Sequence, residues 1–111
     1  GTEVLAKTEF SCLRNRAIAE RLAGLDRPQL VVLGIEAHVC VLQTVVQAVA
    51  EGFTPCVVAD GIASRRRENR DLGLARMRAA GATVISTEMA VFEWLGSASA
   101  PAFRTLSRLI R

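Results

Sequence analysis

The 111-residue chain contains no tyrosine, one tryptophan and four phenylalanines, so aromatic residues make up only 5% of it. Proteins that bind single-stranded nucleic acid commonly stack bases on aromatic side chains, and this chain offers few of them. The net charge is +3, and the positive excess is concentrated in residues 64–70, SRRRENR. We interpret this segment as the solvated start of a helix, with contact to a phosphate, a substrate or a partner as the alternative. We therefore predict no nucleic-acid partner.

Long apolar runs and a cysteine framework are also missing. No run approaches the about 20 residues that a helix needs to cross a bilayer, and the chain does not begin with basic residues followed by an apolar stretch. Cys12, Cys40 and Cys56 are odd in number and form no CxxC pair, which argues against a disulfide framework and a zinc cluster. We predict a soluble, cytoplasmic protein with no membrane contact, no metal and no cofactor.

What the chain does contain is an alternation of apolar runs and amphipathic helices. Each predicted strand leads into a helix, and a last helix begins near Pro101. The predicted strands are 30–33 (LVVL), 55–60 (PCVVAD) and 82–86 (ATVIS); the helices that follow them are about 41–51, 66–80 and 87–95. An earlier short helix, capped by Asn15, ends at Gly24. The run LVVL is typical of a strand that is buried on both faces of a parallel sheet.

Strand–helix–strand units with short connections predict a parallel sheet with right-handed crossovers. We predict the α/β class, with a three-layer α/β/α Rossmann-like parallel sheet and helices on both faces. A sheet of three strands would leave two bare edges and little area for so many helices. We therefore expect further strands in an N-terminal portion that lies outside these 111 residues.

The segment 34–40, GIEAHVC, places an acid, a histidine and a cysteine where the first strand turns into a helix. Ligands of open parallel sheets bind beyond the carboxyl ends of the strands. Cys40 falls in the first turn of the helix, where free N–H groups and the helix dipole favour a thiolate and could hold an oxyanion. The spacing alone leaves open the alternative that Cys40 only packs. We predict that Cys56 is a packing cysteine, and we leave Cys12 undecided.

Four segments in this order resemble the isochorismatase-like cysteine hydrolases, especially the isochorismatase domain-containing proteins. They are KTEFSC (7–12), LVVLGIEAHVCV (30–41), VVADGIASR (57–65) and ARMRAAGATVISTEMAVFEWL (75–95). The resemblance runs from about Val4 to the end of the chain. It implies that residues 1–111 form a single hydrolase domain of this type, or rather its C-terminal two-thirds. It also implies a small-molecule substrate and a homo-oligomer, which the apolar C-terminal segment favours as well.

The resemblance further implies roles for individual residues. Cys40 would be the nucleophile, attacking an amide or similar carbonyl-type bond, and Lys7 would be the lysine of an Asp–Lys–Cys triad. The peptide bond between Ile35 and Glu36 would be cis, and the backbone amides of Glu36 and Cys40 would form the oxyanion hole. Without the family, the interpretation of Lys7 would be a surface lysine.

Other positions are less determined. The family's aspartate closes a strand well upstream of the lysine, and since nothing before Lys7 supplies it, we expect the chain alone to be inactive. We interpret Asp60 as a structural or capping residue near the site and not as a general base. Phe10 and His38 are candidate substrate-pocket residues; the alternatives are a core position for Phe10 and a polar wall or interface for His38. The competing hypothesis for the whole chain is a non-catalytic α/β scaffold or ligand-binding module.

Overall fold

The computed structural model describes residues 2–110. Its three strands are β1 (Gln29–Ile35), β2 (Thr54–Ala63) and β3 (Thr83–Ile85); its five α-helices are α1 (Arg16–Gly24), α2 (Leu42–Ala50), α3 (Arg67–Ala79), α4 (Thr87–Leu95) and α5 (Phe103–Ile110). A 3-10 turn, Cys12–Arg14, precedes α1, and a π-helical turn, Ala37–Val41, runs directly into α2. The order confirms the predicted alternation of strands and helices, and the parallel sheet flanked by helices confirms the α/β class.

The strands lie side by side in the order β1–β2–β3, and both pairs are parallel. Val32 pairs with Val57, but beyond a shift of register Gly34 pairs with Ile62. Because of this shift, β2 stays paired to β1 as far as Ala63. The prediction that the second strand ends at Asp60 was therefore wrong, since pairing with a neighbour continues the strand beyond the apolar run.

One face of the sheet carries the buried core. Its members come from the π-helical turn, α2, β2 and α3 together with Ala82: Ala37, Val41, Leu42, Val45, Val57, Ile62, Met77 and Ala82. Full burial of a valine or methionine side chain contributes about 1.5–3 kcal/mol. Two members, Ala37 and Val41, belong to the turn that contains Cys40, so the core itself holds that turn against the sheet.

The other face of β1 is open within residues 2–110. Val31, Leu33 and Ile35 alternate along this face and are 43%, 62% and 72% exposed. The prediction that the first strand is buried on both faces was wrong for the described residues, because their helices cover only one side of β1. A continuous apolar run cannot by itself show whether a second layer is present.

The helix ends follow ordinary capping chemistry. The Asn15 side chain accepts a hydrogen bond from the Ile18 amide at 3.1 Å, which confirms the predicted cap of α1. The Ser86 hydroxyl accepts one from the Met89 amide at 3.1 Å and caps α4. The last helix begins at Phe103 and not at the predicted Pro101. None of the helices described between residues 2 and 110 is long and apolar enough to span a bilayer.

Candidate active site

Cys40 lies in the π-helical turn that follows the carboxyl end of β1. The carbonyl of Glu36 opens this turn by accepting hydrogen bonds from the amides of Val39 at 3.1 Å and Val41 at 3.2 Å. The second bond spans five residues, the spacing of a π-turn, and such turns occur frequently at functional sites. The peptide bond between Ile35 and Glu36 is cis. Cys40 itself is half-buried.

Cys40 and Lys7 line one cavity of about 160 Å³. The remaining walls come from the end of β1, the turn, α2 and the loop after Lys7; they are Cys12, Val32, Leu33, Gly34, Ile35, Val41 and Thr44. Two segments that are far apart in the sequence thus place Cys40 and Lys7 on the walls of the same small cavity, at the carboxyl end of β1, where ligands of parallel sheets bind.

The loop that carries Lys7 is fastened to α2 by two hydrogen bonds. The Ser11 hydroxyl donates to the Gln47 side-chain oxygen at 2.6 Å, and the Cys12 amide donates to the Thr44 hydroxyl at 2.9 Å. Thr44 follows Cys40 by four residues and lies on the same face of the helix. Through these bonds, the position of the lysine loop depends on the helix that begins with the cysteine turn.

The ammonium group of Lys7 is held by its own loop. Nζ donates to the carbonyl of Glu9 at 2.8 Å and to that of Phe10 at 3.0 Å. A lysine ammonium group has three donors, and these bonds use two of them. The side chain is half-buried. It is therefore anchored at the cavity and does not extend freely into solvent.

A second polar cluster lies beside the cysteine turn. One carboxylate oxygen of Glu36 accepts hydrogen bonds from the backbone amide of Arg65 at 3.2 Å and from its Nε at 2.8 Å. The bond from the Arg65 side chain is the largest cause that lowers the pKa of Glu36, and the bond from the Arg65 amide is the next. His38 Nδ1 lies 2.8 Å from the Ser64 hydroxyl, within hydrogen-bond distance. Both contacts join the cysteine turn to the connection between β2 and α3.

The two candidate pocket residues lie outside the cysteine cavity. His38 lines a different, polar cavity of about 360 Å³ together with Arg65, Arg66 and Asn69. Phe10 is 58% exposed, and its ring is not among the groups that line the cysteine cavity, although its carbonyl holds Lys7. Contact of either side chain with a substrate stays a prediction.

Asp60 acts as a cap. Its Oδ1 accepts hydrogen bonds from the amide of Thr87 at 2.8 Å and from the Thr87 hydroxyl at 3.1 Å, at the start of α4. The bond from the Thr87 amide is the main cause that lowers the pKa of Asp60. These contacts confirm the capping interpretation.

The structure shows the surroundings of the three cysteines, which the sequence does not determine. All three are free and half-buried. Cys56 pairs with Val31 on the face that is open at β1 within residues 2–110, which explains why it is not sealed in the core. Cys12, which was undecided, lines the cavity of Cys40, and its position five residues after Lys7 was the available signal. Within residues 2–110, no three His, Cys, Asp or Glu side chains are grouped so that they could hold a metal ion.

Comparison with known proteins gives a consistent picture. The family model described as "Isochorismatase domain" matches residues 1–89. A secreted isochorismatase effector, Isc1, of Phytophthora sojae (strain P6497) is 37% identical over 112 residues, covering 98% of this chain and 52% of that protein. A solved structure described as MAR1 ribonuclease from Caenorhabditis elegans is 32% identical with a TM-score of 0.83, covering 94% of this chain and 53% of that chain.

A more distant likeness comes from the nicotinamidase SaPncA of Staphylococcus aureus. Its structure is 26% identical with a TM-score of 0.66, and the match covers 70% of this chain and 49% of that chain. The chain therefore spans about half the length of the relatives that it matches.

Proposed function

The chain belongs to the isochorismatase family, and from this premise we propose that it is part of a cysteine hydrolase acting on an amide or similar carbonyl-type bond of a small molecule. Membership of the family, together with the likeness to a nicotinamidase, indicates hydrolase chemistry. The observation that carries the proposal is the cavity shared by Cys40 and Lys7. Cysteine nucleophiles are activated by the N-terminus of a helix and by a nearby cation, and a cysteine in the first helical turn with a lysine in the same cavity wall fits this pattern.

The proposed reaction proceeds through a thioester. The Cys40 thiolate attacks the carbonyl carbon, and the backbone amides of Glu36 and Cys40 stabilise the oxyanion that forms. Collapse of this intermediate breaks the bond to the leaving group, which departs with a proton. Water then attacks the thioester, releases the acid and returns the proton to the cysteine site. Lys7 orients the reacting groups through its charge.

The acid that moves these protons is proposed to lie outside residues 1–111. The family's triad includes an aspartate on a strand upstream of the lysine, and the chain spans about half the length of its relatives. The free edge of β1 and its exposed row of Val31, Leu33 and Ile35 support a further strand and a covering layer there. In this proposal, residues 1–111 are the C-terminal portion of one hydrolase domain. Homo-oligomerisation and a cytoplasmic location stay predictions.

The experiment is a test for a covalent intermediate. The full-length protein is incubated with p-nitrophenyl acetate, whose leaving group needs no acid catalyst. Peptide mass spectrometry then locates the acetylated residue. We expect acetyl transfer to Cys40, its loss in C40A and its retention in the matched C56A variant. Labelling of the three cysteines at equal, slow rates would favour the non-catalytic scaffold instead.

A second candidate function is cleavage of RNA. The likeness to a structure described as a ribonuclease favours it, as does the exposed arginine segment at residues 65–67, whereas the small number of aromatic side chains argues against a nucleic-acid partner. This activity does not need a thioester on Cys40. Cleavage of a labelled RNA by the C40A variant at the wild-type rate would support it, whereas loss of all activities in C40A supports the cysteine hydrolase.

A further inference from the structure

We propose that the Glu36 carboxylate is a positioning group. Its hydrogen bonds to Arg65, in the connection between β2 and α3, hold the backbone amides proposed to bind the oxyanion in place. This inference rests on the proposed role of Cys40 as a nucleophile. Glu36 contributes to the turn in two ways. Its carbonyl opens the turn through the bonds to Val39 and Val41, while its side chain reaches away to Arg65.

In the ion pair between Glu36 and Arg65, the glutamate side chain is more buried than the arginine side chain. The Glu36 side chain is 22% exposed, whereas that of Arg65 is 87% exposed. One carboxylate oxygen accepts from both the amide and Nε of Arg65. The hydrogen bond from the backbone amide of Arg65 does not depend on the arginine side chain. Glu36 can therefore hold the backbone of the connection in place even when the guanidinium group moves in solvent.

Two further contacts limit how far the turn can move. The hydrogen bond between His38 and Ser64 ties the next part of the turn to the same connection. On another side, Gly73 of α3 lies so close that a Cβ there would sit 2.9 Å from the Cα of His38 and 3.1 Å from the carbonyl oxygen of Ala37. The cysteine turn is thus held by the connection through polar groups and by α3 through direct backbone packing.

Such fixation matters because donors to an oxyanion act only over a narrow range, about 2.7–3.1 Å from its position. A small displacement of the Glu36 amide would weaken its hydrogen bond to the oxyanion and so raise the barrier to acyl transfer. The same displacement would have little effect on alkylation of Cys40 by iodoacetamide, because that reaction forms no oxyanion. The two reactions of one sulfur therefore separate the positioning of the backbone from the reactivity of the thiolate.

The experiment measures both rates on Cys40 in the full-length protein, with p-nitrophenyl acetate for acylation and iodoacetamide for alkylation. We expect E36A to lower the acylation rate by about tenfold or more, as a fraction of the about 10²–10³ lost when an oxyanion donor is removed. Alkylation should stay within about threefold. E36Q, whose amide oxygen can still accept both bonds from Arg65, should retain most of the acylation rate.

A variant of Arg65 provides a second test, and a variant of Arg78 provides the matched control. R65A retains only the bond from the backbone amide to Glu36, so its acylation rate should fall between those of the wild type and E36A. Because the Arg65 side chain is mostly exposed, this variant tests the tie even if E36A fails to fold. R78A removes an exposed arginine of α3 that lines neither cavity and should behave as the wild type.

The outcomes are distinguishable. Acylation of E36A and R65A at the wild-type rate overturns the inference, and so does a fall of acylation and alkylation by the same factor, which would indicate general disruption of the turn. If Cys40 of the wild-type protein is not acylated at all, the proposed function is contradicted, and the positioning role of Glu36 is contradicted with it.

Discussion

Gly73 lies in the middle of α3, where it faces the backbone of the cysteine turn. A Cβ added there would meet the Cα of His38 at 2.9 Å, the carbonyl oxygen of Ala37 at 3.1 Å and the Cβ of His38 at 3.2 Å. Real side chains essentially never approach that closely, so the turn or the helix must move. Replacing Gly73 with alanine therefore tests directly whether α3 fixes the turn.

The expected cost can be worked out from two opposing effects. Overpacking of a tight contact costs about 1–3 kcal/mol, while replacing glycine with alanine inside a helix gains about 1 kcal/mol. The nearest atom belongs to the backbone and cannot rotate away, so we expect the upper part of the resulting range. The free energy of unfolding of G73A should fall by about 1–2 kcal/mol.

The assay is urea or thermal unfolding of the wild type and two variants. For a domain of about 150–250 residues, the size proposed for the full-length protein, each kcal/mol shifts Tm by about 2–4 °C. The control is G24A, because Gly24 also lies in a helix but a Cβ there has nothing within 4 Å. G24A should leave stability unchanged or raise it by up to about 1 kcal/mol. If G73A is as stable as G24A, the close packing of α3 on the turn is refuted.

Two further predictions concern charged groups. The hydrogen bonds from Thr87 hold the pKa of Asp60 below its ordinary value of 3.8. The carboxylate therefore stabilises the fold at pH values above 3.8, and this stabilisation is lost as the pH falls through the lower pKa of the folded state. D60N should flatten this acid side of the stability curve in urea titrations, and an unchanged curve would contradict the cap. Lys7→Met removes the ammonium group at the cavity and should slow alkylation of Cys40 at pH 7 by about tenfold, with Cys56 unaffected; equal slowing of both thiols would contradict it.

Much of the fold follows from local patterns in the sequence. The cap at Asn15 and the strand run at 30–33 are short-range signals, and the structure confirms them. What could not be predicted depends on neighbours in space. The extension of β2 to Ala63 results from pairing with β1 across a register shift, and the exposure of Leu33 results from the lack of a covering layer among the described residues.

The site divides in the same way. The motifs that resemble a known family predict roles for Cys40 and Lys7, which line one cavity, and the spacing from Cys40 to Thr44 could have added a third residue of that cavity. The tie between Glu36 and Arg65 spans 29 positions, and no periodicity or capping rule relates them. It becomes visible only when the sheet brings the ends of β1 and β2 together.

If Cys40 is an activated nucleophile and Cys56 an ordinary thiol, iodoacetamide should alkylate them at different rates in the full-length protein, and peptide mass spectrometry measures both rates in one sample. We predict that Cys40 reacts at least about tenfold faster than Cys56 at pH 7. Equal rates for the two cysteines would contradict the proposed role of Cys40 as the nucleophile.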